Sequence, residues 1–225
     1  MSALRKLRAR FFKKDRAKYI SHLDLYRFMQ RSFKRAGIDV WYTEGFNPHL
    51  YIMFPLPLSL GYESDCEIMD FNIIDDSMTN ESIMEKMNAI LPEGIQICKV
   101  YEPVMKHTEI AFSEYDICMI PGDEYHDVFT AEKFNSFMAQ DQIIISKKTK
   151  QKTFKEVDIK PYSDILLTED GPEGLHIILK MPSGNNGSYN PSLLTDAFSK
   201  YIGHEADLVK VRRTSVTTIN GETFM

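Results

Sequence analysis

Two kinds of hydrophobic periodicity follow one another along this chain, and their order constrains the fold more than any other feature. Near the amino terminus, Leu7, Ala9 and Phe11 alternate with Arg8 and Arg10. Because successive side chains of a strand point to opposite faces, this alternation predicts a strand with one apolar side and one solvent-facing basic side.

A helix is predicted directly after that strand. Ser21 followed by Asp24 resembles a capping box, and Gly37 stands where a helix often ends on glycine. Apolar residues between them recur at helical spacing, and the side chains on the opposite face are cationic. The apolar residues are Leu25, Phe28, Met29 and Phe33, and the cationic residues are Arg27, Arg31, Lys34 and Arg35.

The remaining segments of the first half complete a β-α-β-β-α-β order. β-rich segments cover Ile38–Glu44, Leu50–Phe54 and Cys66–Ile74, and a helical stripe over 80–91 precedes a last strand from Ile95. The second half repeats this order more loosely. Such an order is typical of ferredoxin-like folds. We therefore predict an α+β protein of two tandem ferredoxin-like halves, residues 1–106 and 107–225, with antiparallel sheets and helices packed on one face.

The net charge of −5 conceals a strong asymmetry along the chain. Residues 1–50 hold 12 Lys and Arg against 4 Asp and Glu, whereas residues 51–141 hold 4 against 18. A basic block of this kind predicts a surface for an anionic partner. Alternatively, the two blocks lie next to each other in the fold and neutralise one another.

A second basic segment lies in the second half, and its pattern predicts a lysine-rich hairpin able to reach phosphates. Lysines on an exposed strand edge also prevent aggregation, which is the alternative explanation. The candidates for nucleic-acid contact in both halves are Arg8, Arg10, Arg27, Arg31, Lys34, Arg35, Lys150, Lys152 and Arg212.

The densest group of polar functional side chains lies within residues 21–49. His22, Asp24, Glu44 and His49 are weak catalytic candidates, because converging histidines and carboxylates suit acid–base chemistry. Capping and turn formation explain the same segments without any chemistry, and we favour that explanation.

The cysteines and the hydropathy narrow the class of protein. Cys66, Cys98 and Cys118 are too widely spaced for a zinc site or an iron–sulfur cluster, so we expect no metal and no cofactor. Scattered thiols are typical of the reducing cytoplasm.

No apolar run approaches the ~18–20 residues of a spanning helix, so we expect no membrane partner. Oligomeric state leaves no signal in the sequence.

The motifs SHLDL, EGFNPH and PLPLSLGYESDCE resemble those of the radical-SAM-linked protein family, a domain of unknown function beside or fused to radical S-adenosylmethionine enzymes. The residues that carry the first two motifs are Ser21, His22, Asp24, Glu44, Gly45, Phe46, Asn47, Pro48 and His49. Leu50 and Tyr51 depart from the family pattern, which usually continues with proline and a basic residue. The resemblance implies a neighbouring radical SAM enzyme as partner. This chain lacks the clustered cysteines of such an enzyme, so we expect a free-standing accessory protein.

Three functions agree with these observations. The first is a binding module that presents RNA, or an RNA-containing particle, to the radical enzyme, with Tyr42, Phe46 and Tyr51 available for base stacking. The second is an RNA-acting enzyme of tandem ferredoxin-like fold, for which no complete catalytic constellation is visible. The third is a protein–protein adaptor that docks through the acidic middle of the chain. We favour the first.

Overall fold

The structure of the chain is a computed structural model, and it describes residues 4–74, 77–148, 154–184 and 187–225. Over these residues the protein is mixed α+β, with four α-helices and antiparallel strand pairing. The chain divides into two compact units. One runs to Glu109 and also takes in Thr223–Met225, and the other spans Ile110–Glu222.

The first unit is a four-stranded sheet with two α-helices. Its elements are β1 (Arg5–Lys13), α1 (His22–Arg35), β2 (Ile52–Met53), β3 (Glu63–Ile73), α2 (Asn80–Asn88) and β4 (Ile95–Tyr101), with short 3-10 helices over Asp15–Tyr19 and His107–Glu109. The strand order is β4-β1-β3-β2, so each strand–helix–strand connection passes over one intervening strand.

Both helices of this unit pack on the same face of the sheet. Leu7, Ala9 and Phe11 of β1 are buried in one core, as their alternation predicts. Their core partners on α1 are Leu25, Met29 and Phe33, and those on α2 are Ile83 and Met87.

The start of α1 follows the sequence prediction. Ser21 is the N-cap, and its Oγ accepts a hydrogen bond of 3.2 Å from the backbone N–H of Asp24. After the helix, Gly37 adopts a φ of 65°, a left-handed conformation that glycine reaches without steric cost.

Two expectations for this unit are wrong. Ile38–Glu44 is not a strand, because the chain folds back on itself and makes only isolated bridges, Val40 to Ile73 and Tyr42 to Leu50. The second face of β1 is not a solvent-facing basic side either, since Arg8 is only 1% exposed.

The second unit has a four-stranded sheet and a separate hairpin. Its elements are β5 (Phe112–Ile120), α3 (Ala131–Met138), β6 (Ile144–Lys148), β7 (Phe154–Asp158), a 3-10 helix (Lys160–Tyr162), β8 (Asp164–Asp170), β9 (Leu175–Pro182), α4 (Ser192–Ile202) and β10 (Leu208–Thr217). The sheet order is β10-β5-β9-β8, and β6 pairs only with β7 among the described strands.

Sequence reasoning missed β8. Its register shifts between Ile165 and Leu167, so the alternation of apolar and polar residues breaks in the middle of the strand. Leu166 and Leu167 are both exposed, which further obscures the pattern. A period-2 search therefore fails at this edge strand.

Candidate nucleic-acid interface

A stripe of four cations runs along the exposed face of α1. Arg27, Arg31, Lys34 and Arg35 are all exposed, and their spacing places them on neighbouring turns of one helix face. Arg27 approaches the Asp24 carboxylate at 4.0 Å. Within the described part of the chain, the other three form no ion pair. We call these four residues the cationic stripe.

Several of the other basic residues near the amino terminus are neutralised within the fold. Acidic side chains of β3 pair with cations of β1 and of the segment that follows it. The pairs are Arg8–Asp70 at 2.6 Å, Lys14–Asp65 at 2.6 Å and Lys18–Glu63 at 3.0 Å. Mutual neutralisation therefore accounts for this part of the charge asymmetry, and not for the cationic stripe.

Arg8 belongs to the interior of the first unit. Its Nε and Nη2 donate to the two carboxylate oxygens of Asp70, and its Nη1 donates to the main-chain oxygens of Met105 and Met225 at 3.0 and 2.9 Å. Its guanidinium carbon lies 4.5 Å from the centre of the Phe224 ring. With these partners in place, Arg8 does not present its charge to an external phosphate.

A tight hairpin follows α1 and carries the EGFNPH motif at its tip. We call residues 42–50 the tip hairpin. The backbone N–H of Thr43 donates to the His49 carbonyl at 2.8 Å, and the N–H of His49 donates to Thr43 Oγ1 at 3.2 Å. His49 Nδ1 lies 3.1 Å from the same Oγ1 and 3.0 Å from the Asn47 carbonyl oxygen. His49 thus helps to shape the hairpin.

The tip itself projects into solvent. Glu44, Gly45, Asn47 and Pro48 are exposed, and Phe46 at their centre has a relative exposure of 104%. Gly45 has a φ of 120°, which L-residues rarely adopt. The motif therefore builds a turn that displays one aromatic ring.

The tip hairpin adjoins the cationic stripe at its base. Lys34 Nζ lies 5.5 Å from the centre of the Tyr42 ring, a cation–π contact between α1 and the hairpin. Trp41 and Tyr51 pack against each other nearby, with ring centres 5.9 Å apart. Cations and an exposed aromatic side chain thus lie on adjoining elements of one unit.

The four catalytic candidates do not form one constellation. His22 packs edge-on against Phe54 at 5.4 Å, at the amino-terminal end of α1. Tyr42, at the base of the hairpin that holds Glu44 and His49, contacts Lys34 near the other end. The helix rises about 18 Å between positions 22 and 34. Asp24 and Ser21 are engaged in capping, since Ser21 Oγ also lies 2.7 Å from Asp24 Oδ2.

The other candidates for nucleic-acid contact have different surroundings. Arg10 is half-buried on β1. Arg212 lies in the second unit and donates from Nη2 to Asp116 Oδ2. Lys150 and Lys152 lie outside the described residues, so the tip of the lysine-rich hairpin stays a prediction.

Sequence reasoning missed a charged cluster on the sheet of the second unit. His176 Nε2 lies 2.8 Å from Asp116 Oδ1, and its Nδ1 lies 2.9 Å from Glu169 Oε1. Burial alone would lower the pKa of His176, but the hydrogen bonds to Glu169 and Asp116 raise it. Burial likewise opposes ionisation of Asp116, yet hydrogen bonds from Arg212 and His176 lower its pKa.

This cluster stabilises charge and is poorly suited to proton abstraction. A histidine that donates from both ring nitrogens has no free lone pair, so it cannot serve as a base for Cys118, which faces it across the β5–β9 pair. Strand pairing alone brings these residues together, and no local motif in the sequence marks them.

In the ranges that the structure describes, no group of three or more His, Cys, Asp or Glu side chains is arranged to hold a metal ion. Cys66, Cys98 and Cys118, all within the described residues, form no disulfide. No helix among the described residues combines the length and the apolar character needed to cross a membrane.

Comparison with solved structures gives distant similarities. The chain resembles a chain in the crystal structure of a Cbf5-Nop10-Gar1 complex with a TM-score of 0.49 and 11% identity, covering 93% of this chain and 48% of that one. It thus spans about half the length of that relative. An unknown protein from Galdieria sulphuraria gives a TM-score of 0.28 and 12% identity, with 96% and 99% of the two chains covered.

Comparison with sequences identifies the family. No protein with a curated description matches the chain. A family model described as "Uncharacterized protein conserved in bacteria (DUF2344)" matches residues 6–191, and the chain belongs to this family.

Proposed function

We propose that this protein is an RNA-binding accessory module that presents RNA, or an RNA-containing particle, to a neighbouring radical SAM enzyme. The observation that carries the proposal is the cationic stripe on α1. None of its four residues pairs with the acidic side chains of β3 that neutralise Arg8, Lys14 and Lys18. Exposed cations attract phosphates, and binding releases the counterions condensed on the nucleic acid.

The alternative functions receive less support. An RNA-acting enzyme would need catalytic groups that lie close together. His22 lies at the amino-terminal end of α1 and packs against Phe54, whereas the hairpin that carries His49 contacts α1 near its other end. An adaptor that docks through acidic residues would need free carboxylates. Of the acidic residues considered for this role, Glu63, Asp65 and Asp70 are paired with cations and Glu67 is buried, whereas Asp75 and Asp76 lie outside the described residues.

The radical SAM partner is supported by the motif resemblance alone. SHLDL lies at the start of α1, and EGFNPH forms the tip hairpin. Both motifs therefore belong to the first unit, which also carries the cationic stripe. We propose that this unit handles the substrate of the partner enzyme.

We also propose that each of the two units has a ferredoxin-like fold. The orders β4-β1-β3-β2 and β10-β5-β9-β8 support a ferredoxin-like arrangement in each. In both units the two strand–helix–strand connections interleave, which is the split βαβ arrangement. On this interpretation, the β6–β7 hairpin is an insertion between α3 and β8 of the second unit.

An anisotropy titration with labelled RNA tests RNA binding. The probe is a stem–loop with a single-stranded overhang, titrated between about 50 and about 200 mM salt. Four phosphate contacts on a single strand predict a slope of log K against log salt of about −3. A variant with Arg27, Arg31, Lys34 and Arg35 all changed to Gln loses most of this slope.

A matched control removes the same charge elsewhere in the first unit. Lys6, Arg16, Lys86 and Lys106 are also exposed, and their change to Gln leaves most of the affinity intact. Absence of binding by the unmodified protein at low salt, or equal losses in the two variants, would overturn the proposal. Mixing the chain with the neighbouring radical SAM enzyme tests the accessory role, and failure to co-elute on gel filtration contradicts it.

A further inference from the structure

The side chain of Phe46 has an unusual environment for a large apolar residue. Its relative exposure of 104% means that the fold hides none of it. Within the described ranges, no aromatic ring or cation lies against it. A phenyl ring left in water forgoes the favourable free energy of burial, so a partner that covers the ring gains that free energy.

The backbone beneath Phe46 is held in place. Two hydrogen bonds between the backbone and side chain of Thr43 and the backbone of His49 close the hairpin. His49 Nδ1 adds contacts to Thr43 and Asn47. Leu50, at the end of the hairpin, is buried in the core of the first unit. A ring held on such a base loses little conformational freedom when a partner binds.

The charged side chains near Phe46 indicate what kind of partner its ring contacts. Phe46 is four residues from Tyr42, whose ring contacts Lys34 of the cationic stripe. Four residues span at most about 14 Å of chain. Within the tip itself, residues 44–48, Glu44 is the one charged side chain. The surface therefore combines an exposed ring and one carboxylate on the tip with a row of cations on the adjoining helix.

A ring beside a row of cations is the arrangement used for single-stranded nucleic acids. Aromatic side chains stack on exposed bases while cations follow the backbone. A double helix offers no base face to such a ring, because its bases are already stacked and its deep groove is closed to side chains.

We infer that the RNA bound by this protein carries unpaired nucleotides, and that Phe46 stacks on one of their bases while the cationic stripe binds the adjoining phosphates. This inference rests on the proposed RNA-binding function and names its substrate class. It also assigns the exposed EGFNPH tip a role, as the element that positions the stacking ring.

Affinity measurements with two RNA probes test the inference. One probe is an unstructured RNA of about 12 nucleotides, and the other is a blunt duplex of the same length. Phe46→Ala weakens binding of the unpaired probe about 5- to 150-fold and leaves binding of the duplex unchanged. Phe46→Trp restores binding of the unpaired probe, because indole also stacks. Tyr201, exposed on α4 of the second unit, gives the control variant Tyr201→Ala, which leaves both affinities unchanged.

The outcomes separate this inference from the proposed function. If Phe46→Ala changes neither affinity while loss of the cationic stripe weakens both, RNA binding stands and the stacking role is wrong. If Phe46→Ala weakens both probes equally, selection of unpaired nucleotides is wrong. If the unmodified protein binds neither probe at low salt, the proposed function itself fails.

Discussion

Arg8 and Asp70 form a two-point ion pair across the β1–β3 pair, with N–O distances of 2.6 and 2.8 Å. Phe224 covers the guanidinium, and the main-chain oxygens of Met105 and Met225 accept its remaining hydrogen bonds. Thr223–Met225 are thereby tied to the first unit, although they follow the whole of the second unit in the sequence.

Loss of the Asp70 carboxylate should strongly destabilise the first unit. Asp70→Ala leaves the buried Arg8 cation without its counter-charge, and breaking such a pair costs about 3–5 kcal/mol. Urea unfolding followed by the fluorescence of Trp41, the single tryptophan of the chain, measures the change in the free energy of unfolding. Glu63→Gln breaks the more exposed pair with Lys18 and costs less than about 1 kcal/mol. Equal costs for the two variants would contradict the role of the Arg8–Asp70 pair.

Phe224 should stabilise the first unit from the end of the chain. Its ring is 2% exposed and packs over Arg8, so Phe224→Ala costs about 3–5 kcal/mol through lost burial and a residual cavity. The same Trp41 unfolding curve reports the loss. Phe154→Ala, at an exposed position, serves as the control and leaves that curve unchanged. A Phe224→Ala curve that superimposes on that of the unmodified protein would refute this role.

The elements built from local contacts could be predicted from the sequence, whereas the environment of Arg8 could not. The cap of α1 joins Ser21 and Asp24, three positions apart, and the apolar stripe of α1 recurs within each turn. Arg8 instead contacts residues 62, 97 and 217 positions away. Its alternation with Leu7 and Ala9 is the same whether solvent or a distant segment covers the second face of the strand. Periodicity therefore separates the two faces but does not reveal what covers either.

The candidate site divides in the same way. The cationic stripe follows from the helical period and was predicted residue by residue. His22 and Asp24 lie at the amino-terminal end of α1, whereas the hairpin of Glu44 and His49 contacts Lys34, near the other end, through Tyr42 at its base. The place of the hairpin beside α1 depends on long-range pairing, here between Val40 and Ile73. Local patterns do not encode that pairing.

The stability of the second unit should depend on pH through His176. Hydrogen bonds to Glu169 and Asp116 raise the pKa of His176 in the folded state. Its stabilising effect is therefore complete below the unfolded pKa of about 6.5 and is lost as the pH rises through the higher folded value. Asp116, whose pKa is lowered, contributes above its unfolded pKa of about 4 and loses that effect as the pH falls further.

Comparison of the unmodified protein with His176→Gln measures this dependence. Urea unfolding followed by circular dichroism gives both free energies of unfolding, and their difference should be larger at about pH 5.5 than at about pH 9. A difference that is the same at both pH values would show that the carboxylates do not hold a charged imidazole.

His49 should act as a positioning residue for the tip hairpin and not as a catalyst. Its Nδ1 contacts Thr43 Oγ1 and the Asn47 carbonyl oxygen, and an asparagine amide nitrogen can occupy a similar place with respect to the backbone. His49→Asn should therefore retain the affinity for unpaired RNA. His49→Ala should lower that affinity several-fold. The hairpin that carries Phe46 loses the two contacts of the imidazole, so it must lose more conformational freedom when RNA binds.

The pH profile of RNA binding separates the two roles of His49. If the imidazole only shapes the hairpin, His49→Asn and the unmodified protein share one pH profile of RNA binding. A catalytic role would instead give an RNA-modifying activity of the unmodified protein that His49→Asn abolishes while RNA affinity persists. Because the asparagine can keep the hairpin contacts but cannot transfer a proton at neutral pH, this one substitution distinguishes shape from chemistry.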